Sequence, residues 1–291
     1  MSEQADNTSE KLLEGRVALI TGGARGIGLE IAKSFAAQGA KIALCDTGCE
    51  RDGQSPNDDV VLEAGKELSA AGCELWTSST DVSEPEACQK MVHDASAALG
   101  TVDILVNNAG IISDRSLFDM RIEAWDSVIR THLRGSFLTT QAVASGLRRA
   151  KMAGSIINMT STSGMLGNLG QINESSAKAG IYGLTRTASI ELQKFRIRVN
   201  ALAAIAKTRL TSDLPMFEKV GGTMDAKHIS PAALFLASEL SDDISGTVLS
   251  VAGGRISTFE LAESQGRIKE ADDGIWTAQE ISTNYDSIAR R

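Results

Sequence analysis

The sequence contains no run of about 18 consecutive apolar residues, so no segment has the pattern of a membrane-spanning helix. Positive charge is not in excess either. Lys and Arg total 29 against 37 Asp and Glu, for a formal net charge of -8 and a pI near 5.1. That balance disfavours a nucleic acid or an anionic membrane as partner. Cysteine is scarce, and the spacing of Cys45, Cys49, Cys73 and Cys88 matches neither a metal-ligand motif nor a disulfide framework. The expectation is no metal site and a reducing compartment such as the cytoplasm. No internal repeat or low-complexity tract occurs. The opening segment "MSEQADNTSEKLLEGR" is polar without an apolar core, so residues 1–14 are expected to be a flexible leader and not a signal peptide. Tyrosine is rarest in consequence: only Tyr182 and Tyr285 are present.

What is present is core-forming material. With 42% apolar residues and 27 glycines, the 291-residue chain can bury a full interior. "RVALIT" (16–21) and "AKIALCD" (40–46) read as buried strands, and so do 73–82, 101–110, 154–160, 196–204 and 247–254. Helical patterns separate them, notably "LEIAKSFAAQG", 121–150 and 174–194. Alternation of this kind predicts a doubly wound α/β fold, with a seven-stranded parallel sheet covered on both faces. It spans 15–254, and 255–291 is expected to be a C-terminal extension. "TGCERDGQSPNDDVV" is longer than a usual βα connection and reads as a surface insertion.

"TGGARGIG" follows the first strand and opens a helix. In that context Gly22 permits the turn, Gly26 lets backbone approach a pyrophosphate, and Gly28 lets helix pack on strand. The helix N-terminus, with Ile27 in its first turn, supplies free N–H groups for the phosphates. Asp46 ends the second strand 24 residues after Gly22, where a carboxylate would accept from both ribose hydroxyls and repel a 2′-phosphate. NAD is therefore expected over NADP, with Arg25 as the residue that could meet a 2′-phosphate instead.

"TGGARGIG", "DV" (81–82), "NNAG" (107–110), "GSIINMTS" (154–161) and "VAGG" (251–254) together resemble the short-chain dehydrogenase/reductase family. The resemblance implies adenine contacts from Asp81 and Val82, and a strand-stabilising and cofactor-facing role for Asn107, Ala109 and Gly110. It further implies backbone contacts from Ile205 and a carboxamide-binding position at Thr208, although Ala204 stands where the family normally has proline. "THLRGSF", "SGMLGNLGQIN" and "KTRLT" resemble one branch in particular. It holds the (3R)-hydroxyacyl-CoA dehydrogenase domains of peroxisomal multifunctional enzymes and related bacterial dehydrogenases. By that resemblance the substrate is an acyl-CoA or another alcohol, and subunits of like fold associate through helices 121–150 and 174–194. His132 is either a packed helix residue or a proton-relay member.

The family's chemistry uses a tyrosine, a lysine four residues later and a serine 13 residues earlier. In this register Ser161 and Lys178 are in place and Glu174 occupies the tyrosine position. Tyr182 lies about 12 Å further along the same helix and cannot substitute. A glutamate titrates near ~4.3 and a phenol near ~10, so an ionised Glu174 is no proton donor and a base weaker by roughly 6 units. Next to Lys178 it is expected to be more firmly ionised still, unless burial dominates. Its structural reading is an i,i+4 ion pair with Lys178 in a helix's first turn. Three functions stay open: a subunit with a degenerate active site beside a complete partner, an enzyme using Glu174 as base, and a non-enzymatic NAD-responsive binding protein.

Overall fold

A computed structural model describes residues 11–211 and 221–290. Eight strands form one sheet in the order β3-β2-β1-β4-β5-β6-β7-β8. They are β1 Val17–Thr21, β2 Lys41–Cys45, β3 Leu75–Ser78, β4 Ile104–Asn107, β5 Gly154–Thr160, β6 Ile197–Ile205, β7 Val248–Ala252 and β8 Arg255–Thr258. Neighbours pair in parallel from β3 to β7. The seven strands expected from sequence are all present. The sheet nevertheless has an eighth, antiparallel strand, because Gly253 and Gly254 turn the chain back and pair Ala252 with Arg255. A two-residue glycine loop between apolar runs is a hairpin signal, and the reading that ended the sheet at Gly254 passed over it.

The strands are apolar throughout because both faces are covered. In β1, Ala18 and Ile20 join one core with Ile31 and Phe35 of helix α1 (Gly26–Ala37) and Leu236 of α8 (Ser230–Ala237). Val17 and Leu19 point the other way, to Met91 of α3 (Pro85–Leu99) and Val143 and Leu147 of α5 (Gly135–Ala150). Side chains alternate along a strand, so each strand feeds both cores at once.

The helical stretch expected over 121–150 is α4 (Ile122–Val128), a π-helical turn at Ile129–Arg134, and α5. The long helix α7 spans Ile172–Leu192, and a short α6 (Thr162–Leu166) precedes it. Of the insertion predicted over 47–61, residues 47–58 precede α2 (Asp59–Ala70), whose first turn takes up the other three. The chain divides at Thr258 into a unit carrying the whole sheet and a second unit, Phe259–Arg291. In the second, Thr277 caps α9 (Ala278–Ile288) in a reciprocal arrangement with Glu280, which Lys269 also binds. Among the described residues no helix is long and apolar enough to cross a membrane.

Candidate active site

The order of strands reverses between β1 and β4, and in open α/β sheets ligands bind at the carboxyl ends of strands at such a point. Two adjoining cavities, of about 510 Å³ and 390 Å³, lie there. They share Ile27, Asn108, Gly110, Ile111, Thr208 and Leu210.

The larger cavity is built on the glycine loop. A Cβ at Gly28 would sit 2.2 Å from the Gly22 carbonyl oxygen, so helix and loop approach closer than any side chain allows. Gly22 has a φ of +60 and faces Ala109 across a gap of 2.7 Å from where its own Cβ would be. The N-terminus of α1 has no side-chain cap and no acid in its first turn, which leaves its N–H groups free for anionic oxygens. Arg25, Gly26, Asp46, Asp81, Val82 and Ala109 line the same space. The donors and space in this set fit a dinucleotide. Asp46 is already engaged: Ala24 N–H donates to Oδ2 at 3.1 Å, Gly48 N–H to Oδ1 at 2.8 Å, and an Arg25 nitrogen lies 3.9 Å from Oδ1.

The insertion folds over this cavity. Arg25 donates to the Cys49 carbonyl at 2.7 Å, Ile112 N–H to the Arg51 carbonyl at 2.8 Å, and Arg209 pairs with Glu50 at 3.4 Å. The expected substrate lid, 209–222, lies largely outside the described residues.

The smaller cavity gathers His132, Ser161, Glu174, Lys178, Ile205 and Thr208. Ser161 caps α6: its Oγ accepts from Ser163 N–H at 3.2 Å and from Ser163 Oγ at 3.0 Å. Lys178 is buried at 8% exposure, and its Nζ donates to the Met159 carbonyl at 2.8 Å. No ion pair joins it to Glu174, so the expected i,i+4 bridge is replaced by a lysine turned to the end of β5. Glu174 Oε2 is shut off from solvent and has no hydrogen-bond donor. Burial pushes the Glu174 carboxyl up from the ordinary glutamate range, Lys178 pulls it down and Asp114 pushes it further up. The expectation of a more firmly ionised acid is thereby reversed, because desolvation outweighs the lysine. Burial likewise lowers the Lys178 pKa, against the pull of Glu174.

His132 sits in the π-helical turn, at 4% exposure, with Nε2 2.9 Å from Ile111 N and Nδ1 unpartnered. Burial, with the charge of Lys178 adding to it, lowers its pKa to about 3, so the ring is neutral. Gly110 makes room for it: a Cβ there would lie 2.8 Å from the imidazole.

Asn107 lines neither cavity. Its Nδ2 donates to Thr140 Oγ1 at 3.0 Å and Asn158 Oδ1 at 2.8 Å, tying β4 to α5 and β5. Asn108 takes the cavity side and donates to the Gly22 carbonyl at 2.7 Å. The sequence reading did not single out Asn108, which lies just past the end of β4 and takes the cavity side, while Asn107 closes the strand. Asp114 and Gln171, linked at 2.8 Å beside Glu174, carried no sequence signal.

Fold and site define the class: a doubly wound α/β protein with a glycine loop at the switch point of its sheet and, adjoining it, a cavity lined by Ser161, Glu174 and Lys178. Within that class, the family model for short chain dehydrogenase matches residues 16–216, and the chain belongs to that family, whose members generally use NAD or NADP. A hydroxyacyl-CoA dehydrogenase, ChsB1, of Mycobacterium tuberculosis is 34% identical over 97% of this chain and 90% of its own. A (3R)-3-hydroxyacyl-CoA dehydrogenase of Mus musculus is 37% identical over 84% of this chain and 98% of its own. The crystal structure of a short chain dehydrogenase from Mycobacterium avium superposes with a TM-score of 0.83 at 33% identity, covering 95% of both chains.

Proposed function

We propose that this chain is an NAD(H)-binding oxidoreductase subunit of the hydroxyacyl-CoA dehydrogenase kind. In this reading its alcohol–ketone chemistry is weakened at Glu174, and it works beside a catalytically complete subunit of the same fold. The observation that carries the reading is the small cavity. Ser161, Lys178 and the residue in the tyrosine position all line it, yet the phenol is a carboxyl group and the lysine is committed to Met159. Bound nicotinamide would supply hydride transfer. The chain's own part is to hold the dinucleotide through the glycine loop and Asp46, and to bind a substrate oxygen through Ser161. NAD is favoured over NADP by the Asp46 carboxylate at the ribose end. The four free cysteines suit a reducing compartment such as the cytoplasm.

A second reading keeps the chain active, with Glu174 as the acid–base group. It is favoured by the burial that raises Glu174 toward the working pH of a general acid. NADH fluorescence titration, with 3-hydroxyacyl-CoA turnover followed in the same cuvette, separates the two. Binding without turnover, and turnover gained in Glu174→Tyr, is the result expected. Turnover that vanishes in Glu174→Gln would replace the first reading with the second.

A further inference from the structure

Among the described residues two cations line the larger cavity, Arg25 in the glycine loop and Arg209 in the segment after β6. Both are turned onto the insertion. Arg25 donates to the Cys49 carbonyl at 2.7 Å, and Arg209 donates to the same carbonyl at 3.3 Å while pairing with Glu50 at 3.4 Å. One short loop thus gathers both guanidiniums on a single backbone oxygen. The loop is itself held from a third side, where Ile112 N–H donates to the Arg51 carbonyl at 2.8 Å, and Cys49 packs against the cluster that contains Ile111.

A guanidinium is the side chain best matched to a phosphate, which it meets with parallel N–H donors. Arg25 also lies 3.9 Å from the Asp46 carboxylate, the group assigned above to the ribose end of the dinucleotide. A phosphate on the 2′ oxygen would have to draw Arg25 off the Cys49 carbonyl. Otherwise it meets acids, since Asp46, Asp58 and Asp81 line the same cavity. An anion brought among carboxylates without a counter-charge is disfavoured by repulsion and by lost hydration together.

We propose that the insertion sets the dinucleotide preference of this site, by holding Arg25 and Arg209 on its backbone and so denying a 2′-phosphate its cations. The inference rests on the reading that a nicotinamide dinucleotide occupies the larger cavity with a ribose at Asp46. To that carboxylate it adds a second determinant, which lies in the loop and not in the sheet.

The loop can be excised at a point where its ends already meet, because Asn57 N–H donates to the Thr47 carbonyl at 2.9 Å. Replacing residues 49–56 by one glycine leaves two glycines between Thr47 and Asn57, the length of a β-turn closed by that bond. Gly48, whose N–H binds Asp46, is kept. Fluorescence titration with NADH and with NADPH then compares the wild type, the shortened chain, and the shortened chain carrying Arg25→Ala. The wild type is expected to bind NADH at least ~10-fold more tightly than NADPH. That ratio should fall at least ~10-fold in the shortened chain, through tighter NADPH binding, and rise again when Arg25→Ala is added. An unchanged ratio in a shortened chain that is folded by circular dichroism and binds NADH overturns the proposal. A wild type that binds the two alike overturns it without any variant. If the shortened chain does not fold, hydrogen exchange of the intact protein decides: saturating NADPH should raise amide exchange across 47–53 above its level with NADH, and equal exchange overturns the proposal. Failure of the wild type to bind either dinucleotide counts against the nucleotide site itself, whereas NADH binding with an unmoved ratio counts against this inference alone.

Discussion

At position 174 the side chain and its surroundings pull in opposite directions. Glutamate is a residue of water, and here it lies in the wall of a cavity with one oxygen unmatched. Its carboxyl pKa is raised by burial above the ordinary 4.5, which means the folded chain holds that proton more tightly than the unfolded chain does. The associated stability is fully present below about pH 4.5 and is lost as pH rises through the raised value. Glu174→Gln removes the titration. The variant should match the wild type near pH 4 and be the more stable of the two at pH 8, as read by thermal melts at the two pH values. His132 has the opposite sign. Its folded pKa is lowered from 6.5 to about 3, so its contribution is present above pH 6.5 and declines as pH falls toward 3. His132→Asn should lower stability at neutral pH by about 1–3 kcal/mol, by disturbing the contact with Ile111 N–H. It should also flatten the acid side of the stability profile, measurable by urea unfolding across pH.

Elements impose their own tests. The glycine loop and α1 are packed backbone to backbone, so Gly28→Ala forces a methyl group against the Gly22 carbonyl, which cannot rotate away. A loss of about 1–3 kcal/mol is expected, together with weakened NADH binding, by unfolding and fluorescence titration. Gly110→Ala meets the ring of His132 instead, and should shift the π-helical turn. Among the described residues, the insertion over the larger cavity is tied to its wall by the Arg25 contact to the Cys49 carbonyl at 2.7 Å and by the Ile112 contact to the Arg51 carbonyl at 2.8 Å. Arg25→Ala should raise amide exchange across 47–53 and leave the exchange of the sheet unchanged, by hydrogen–deuterium exchange.

For the whole molecule, the proposed association with a like-fold subunit leads to the helices. Phe137 on α5 is 45% exposed and Ile190 on α7 is 71% exposed. An apolar residue left in water on each helix gives a definite test of that association. Phe137→Asp with Ile190→Asp should convert the assembly to a smaller species in light scattering while leaving the fold intact by circular dichroism. Species of unchanged mass would remove these helices from the interface.

Much of this was legible from the chain alone. The seven parallel strands, the glycine loop and the register of Ser161, Glu174 and Lys178 follow from local apolar runs and from counted spacings, which act over a few residues. The Gly253-Gly254 hairpin was legible too, and only its place at the edge of the recognised motif concealed it. Other features depended on contacts between distant segments. Whether Glu174 is ionised is decided by how much water its surroundings exclude, and those surroundings come from the loop after β4, the end of β5, α6 and α7 together. Lys178 reaches Met159 instead of Glu174 because the end of β5 passes beneath α7. Asn107 and Asn108 are one residue apart in sequence and serve different ends because β4 ends between them: Asn107 is buried against α5 and β5, and Asn108 turns to the Gly22 carbonyl. The sequence by itself determined the elements, the glycine loop and the spacing of Ser161, Glu174 and Lys178. The tertiary structure alone decided the charge preference of Glu174 and its partners, because desolvation and hydrogen-bond direction belong to the packed molecule.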